Sequence, residues 1–127
     1  MNNMINLIAL QKGSYQWIFN KAYRHFIINK QPRSVGNKKT DSCMYRDRKG
    51  NKCAIGLFIP DDLYHPRLEH STFKRLIHDG YISPVSDEKY GFLGDLQAVH
   101  DLHNTYEKME KAFNALAKHY SLRIPTK

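Results

Sequence analysis

The chain has 127 residues and a mass of 14.9 kDa, with 41% hydrophobic and 25% charged residues. That is one domain, too apolar to stay disordered and long enough to bury a core without disulfide or metal staples. No apolar run nears the roughly 20 residues of a membrane span. The opening MNNMINLIAL lacks the basic start and small-residue cleavage site of a secretory signal, so the expected setting is the cytoplasm, with both cysteines reduced. The net charge of +8 is unevenly spread: residues 1–53 hold 11 Lys and Arg against only Asp41 and Asp47. Such asymmetry suggests a basic surface facing an acidic partner, either nucleic acid or an acidic protein face.

In chain order, Ser14 is placed to N-cap a first helix in which Phe19, Ala22, Tyr23, Phe26 and Ile27 repeat at helical spacing as one buried stripe. Lys21, Arg24 and His25 fall outside that stripe and give the helix a basic outer face. Pro32 stops it, and a turn-rich loop follows with Arg33, Lys38 and Lys39. Ser42 to Arg46 and Asn51 to Ile55 flank the turn Asp47-Arg48-Lys49-Gly50 and read as a small β-hairpin. Pro66 limits the next helical piece to about one turn. Ser71 or Thr72 then caps a short helix with Phe73, Leu76 and Ile77 inward and Gly80 as its stop.

Tyr81 to Tyr90 reads as loop around Pro84. Helical spacing returns with Phe92, Leu96 and Val99, and again with Tyr106, Met109, Phe113, Leu116, Ala117 and Tyr120. A break near His103, with Asn104 or Thr105 as cap, makes these two helices. The expected architecture is α+β: a single, mainly helical domain over 1–127 with about four helices and one small hairpin. A basic helix and loop (14–41) and the hairpin (42–55) precede a helical C-terminal part (71–122).

Four soft or borderline ligands, Cys43, Cys53, His65 and His70, stand as C-x9-C-x11-H-x4-H. The histidine spacing suits tetrahedral zinc, but zinc fingers and ribbons hold their cysteines two to four residues apart. A disulfide between the hairpin arms and a pair of buried free thiols are the other options, and the thiols are favoured, with no cofactor expected. His100 and Asp101 point about 100° apart on a helix and do not chelate one ion together; His100 fits better as a core-edge hydrogen-bonding group. Asp61, Asp62 and Glu69 resemble the acidic cluster of magnesium-dependent nucleases, yet Ser71 stands where a lysine is wanted. No G-x-S-x-G, Walker or G-x-G-x-x-G pattern occurs, so an enzyme is the least favoured class.

The run from Cys43 to Tyr64, C-M-Y-R-D-R-K-G-N-K-C-A-I-G-L-F-I-P-D-D-L-Y, resembles a group of small proteins from bacteriophages, prophages and bacteria. Their core runs C-x-Y-R, a glycine turn, C-A-[IV]-G, I-P-D-x-x-Y and a glutamate. It is matched here by Cys43, Tyr45, Arg46, Gly50, Cys53, Ala54, Gly56, Ile59, Pro60, Asp61, Tyr64 and Glu69. Leu96 to Asp101, with His100, is similar as well. The resemblance implies a phage or mobile-element origin and brings no activity of its own. By analogy of origin, it implies a protein that binds and occludes a host component, including one of antiviral defence.

The function expected is therefore a non-enzymatic, phage-type binding protein that engages a host macromolecule with an acidic face and inhibits a defence system. Arg46, Arg48, Lys49, Lys38, Lys39 and Arg33 are its expected contacts, with Trp17 and Tyr45 as aromatic anchors. A sequence-indifferent DNA- or RNA-binding accessory protein is the first alternative, and a metal-dependent enzyme the second. Cys43, Cys53, Asp61, Tyr64, Glu69, His100 and Asp101 are the motif residues expected in the core. Tyr45, Arg46, Asp61 and Glu69 equally suit a buried polar network that locks the hairpin to the helices.

Overall fold

The apolar stripe of the first helix does what its spacing demands: Phe19, Ala22, Tyr23, Phe26 and Ile27 are all buried, joined by Ile18. The structure is a computed structural model that describes residues 12–32, 34, 45–47, 49–70, 73–80, 84–102 and 105–126, with the backbone alone at 70 and 100–102. Helix α1 (Tyr15–Tyr23) begins at Ser14, whose hydroxyl accepts the Trp17 N–H at 3.0 Å. It runs on into a π turn (Arg24–Ile28), where the Asn29 N–H reaches back to the Arg24 carbonyl at 2.8 Å. The turn ends at Lys30, in the left-handed region at φ 49°, two residues ahead of Pro32. Tyr106 steadies this strained residue by donating its hydroxyl to the Lys30 carbonyl at 2.7 Å, with the Lys30 ammonium over its ring.

Three further helices complete the set: α2 (Phe73–His78), α3 (Asp87–Leu102) and α4 (Tyr106–His119). α1 packs against α3 and α4 through aromatic rings. Phe113 of α4 meets Phe19 and Tyr23 edge-on at 5.7 Å, and Phe92 of α3 stacks on Tyr15 at 4.4 Å. Helix α3 starts earlier than expected, at Asp87 rather than Phe92. Ser86 accepts the Lys89 N–H, and Asp87 and Glu88 place negative charge in the first turn, so Pro84 only precedes the helix. Thr105 caps α4 by accepting the Lys108 N–H. Tyr106 is 38% exposed rather than inward, because it serves Lys30. Among the described residues, no helix is long and apolar enough to cross a membrane.

The β-hairpin expected over 42–55 is not formed. Among the described residues there is no strand, only a single antiparallel bridge between Arg46 and Lys52, so the fold is helical rather than α+β. Local competitors take the backbone groups that a ladder would use. The Asp47 carboxylate accepts the N–H groups of Lys49 and Asn51, both at 2.9 Å, and folds the tip into a tight side-chain-capped turn. On the return arm the chain leaves extended geometry at Ala54 and coils into a 3-10 turn (Gly56–Phe58). Residues 42–44 and Arg48 lie outside the described residues, as do the expected caps Ser71 and Thr72, His103 and Asn104.

Two features of this framework are open to measurement. A Cβ on Gly56 would stand 2.0 Å from the Tyr45 carbonyl oxygen, a backbone atom that cannot swing away. Gly56→Ala should therefore cost about 2 kcal/mol or more, read as a lower urea midpoint; an unchanged midpoint would refute the close approach. Between α3 and α4, the Tyr120 hydroxyl donates to Asp95. Burial, the hydrogen bond and the Asp95 charge push its pKa from 10.0 up to about 12. The neutral phenol is thus favoured by folding: its contribution is complete below pH 10.0 and is lost as pH rises through about 12. Urea midpoints measured across that window should fall more steeply for the wild type than for Tyr120→Phe.

Candidate functional site

Glu69, in the 3-10 turn Pro66–His70, organises the segment that carries the sequence motif. Its Oε1 accepts the Tyr45 N–H at 2.8 Å, and its Oε2 accepts the Arg46 N–H at 2.9 Å and the Tyr64 hydroxyl at 2.6 Å. One carboxylate thus accepts from three donors, two of them consecutive backbone amides more than twenty residues away in sequence. Burial comes first among the causes that push the Tyr64 phenol well above its ordinary pKa, followed by its hydrogen bond to Glu69 and the Glu69 charge. Arg46, whose guanidinium lies over the Tyr64 ring, pulls the other way.

Arg46 is consumed by the same cluster. Its side chain is only 14% exposed, and its Nη2 donates to the Ile59 carbonyl at 2.6 Å and pairs with Asp61 at 2.7 Å. Tyr45 is buried as well. Of the hairpin contacts expected from the sequence, Lys49 is the described one that stands exposed; Arg33, Lys38, Lys39 and Arg48 lie outside the described residues. Cys53 is buried, and its Sγ accepts the Gly56 N–H at 3.1 Å, while Cys43 lies outside the described residues. His65 is exposed and accepts the Arg67 N–H through Nδ1. The backbone alone is described for His70, His100 and Asp101, the last two within α3. Among the described residues, no three His, Cys, Asp or Glu side chains gather to hold a metal ion.

The anchored loop leads into the turn Gly56–Phe58, and this turn builds one wall of a groove on the outer face of α1. Trp17, Asn20, Lys21 and Arg24 repeat at i, i+3, i+4 and i+7, opposite the buried stripe. His25 and Asn29 extend the face through the π turn, and Leu57 closes it from across. The groove has a volume of about 360 Å³, and among the described residues none that lines it is acidic. Trp17 is 40% exposed, tilted against Phe58 at 6.0 Å, with the Lys21 ammonium 5.3 Å from its ring centroid. A second, apolar hollow of about 280 Å³ lies between α2 and α3 beside Phe73, Tyr90 and Leu93. The structure thus joins Trp17 to the basic outer face of its own helix rather than to the tip that carries Lys49. Asn20 and Asn29 share that face, but Leu57 comes from a distant segment and carries no local sequence signal.

Set against protein-family models, curated proteins and solved structures, the chain finds no match in any of the three. The likeness to phage proteins therefore rests on the motif alone, and the geometry has to carry the functional assignment.

The cluster predicts its own energetics. Glu69→Ala strands two backbone N–H groups and the Tyr64 hydroxyl, and should cost about 3 kcal/mol. Glu69→Gln keeps one acceptor oxygen but turns an NH2 towards donors, so it should fall between wild type and alanine. Equal urea midpoints for all three proteins would remove Glu69 as the organiser.

Proposed function

We propose that this protein is a non-enzymatic binding protein that engages the acidic face of a protein partner through the groove on α1. The observation that carries this is the half-exposed Trp17 seated beside Lys21, Arg24 and His25 in a groove whose described lining residues include no acidic one. Tryptophan and arginine are the residues that most often dominate binding energy when a partner desolvates them. The surrounding cations raise encounter rate and reject basic partners. The overall charge of +8 adds to the same attraction.

The motif resemblance supplies the setting: a phage-type protein in the host bacterial cytoplasm whose partner is a host protein, with inhibition of an antiviral defence component as the outcome of binding. The distribution of the cations supports a protein surface over a nucleic-acid track. Among the described residues, Arg46 is largely shielded and paired with Asp61, so it does not extend the groove as a continuous phosphate-binding stripe.

A tagged pull-down from bacterial lysate, with and without nuclease, tests the proposal. A stoichiometric protein should persist through nuclease treatment, and Trp17→Ala should weaken its capture by about 2 kcal/mol, roughly thirtyfold. Capture that vanishes with nuclease would move the protein to the nucleic-acid-binding class. Capture indifferent to Trp17 would remove the groove from the interface.

A further inference from the structure

We infer that the α1 groove takes a short acidic peptide segment bearing one apolar side chain, with Trp17 as its anchor; this rests on the binding role proposed above and names the ligand class. Lys21 and Arg24 are exposed and stand three residues apart on one helix face. Their Cβ atoms are therefore about 5–6 Å apart, a spacing that two carboxylates on nearby peptide positions can meet. The planar guanidinium of Arg24 suits a bidentate carboxylate.

The tryptophan itself argues against a nucleobase. Stacking needs a free ring face, and single-strand binders offer a succession of them. Here Lys21 lies over the Trp17 ring and Phe58 leans against it. The exposed Tyr106 is tied to Lys30 by its hydroxyl and by its ring. Trp17 shares the groove with Leu57, which is half-buried and apolar, so the gap the two line offers apolar surface. That gap fits an aliphatic side chain. At about 360 Å³ the groove holds one or two side chains rather than a folded surface.

Trp17 is the chain's single tryptophan, so its fluorescence reports on the groove directly. The full chain is titrated with a capped peptide of glutamates around one leucine, with the same peptide carrying glutamines instead, and with single-stranded oligothymidylate. The acidic peptide should shift Trp17 emission to the blue and saturate, while the glutamine peptide leaves it unmoved. Lys21→Glu with Arg24→Glu should weaken the acidic peptide at least about tenfold. Both positions are exposed, so circular dichroism and thermal midpoint should stay those of the wild type. No shift with the acidic peptide, an equal shift with the glutamine peptide, or undiminished binding by the charge-reversed variant would each overturn the inference. Tighter binding of oligothymidylate would overturn it in favour of nucleic acid. Where protein capture depends on Trp17 but the acidic peptide leaves emission unchanged, the peptide assignment falls and the proposed function stands.

Discussion

A single carboxylate holds the middle of this protein in place. Among the described residues of 45–59 there is no regular ladder, and a loop of that kind must find partners for its backbone amides or bear the cost of burying them bare. Glu69 supplies the partners for Tyr45 and Arg46 and is itself held by Tyr64. With those two residues fixed, the Tyr45 carbonyl can accept the Cys53 N–H and lie against Gly56, where only a glycine fits. The 3-10 turn that follows sets Phe58 against Trp17 and Leu57 across the groove. The shape of the proposed binding face thus depends on a hydrogen-bonded cluster none of whose members lines it.

The helical part of this arrangement was legible in the sequence because helical spacing is a local signal. The stripe from Phe19 to Ile27 and that from Met109 to Ala117 needed only a count of apolar positions. The start of α3 was missed because Pro84 outweighed the acidic pair Asp87-Glu88, although both agree with a helix beginning just after Ser86. The hairpin failed for a subtler reason. Two short arms around a glycine turn suit a ladder, but a side chain that captures backbone amides competes with it, and Asp47 and Glu69 both do so. Glu69 was visible as a motif residue, yet nothing local reveals that its ligands are main-chain atoms.

The candidate site divides in the same way. Trp17, Lys21, Arg24 and His25 fall on one helical face and were recognisable as basic and aromatic. Leu57 enters through tertiary packing alone. Arg46 shows the limit of reasoning from charge: its cation is spent on the Ile59 carbonyl, the Tyr64 ring and Asp61, which stands 84% exposed rather than in the core, whereas Lys21 and Arg24, identical in sign, face outward. The formal charge of a segment bounds what it can attract; the geometry decides which of its cations can be reached.

The π turn after Tyr23 gives this face an unusual kind of freedom. Its defining hydrogen bond, Asn29 to Arg24, encloses one residue more than an α-helical bond would. The helix therefore carries a spare residue without breaking. Loss of one position from 24–28 would restore regular winding, and each residue shifted in register would be carried round the axis by about 100°. Length variation here leaves Trp17, Lys21 and the core residues up to Tyr23 in place, and re-aims side chains of the π turn only together with the buried Phe26 and Ile27. The aim of the cations at this turn is thereby coupled to the packing of the core beneath them.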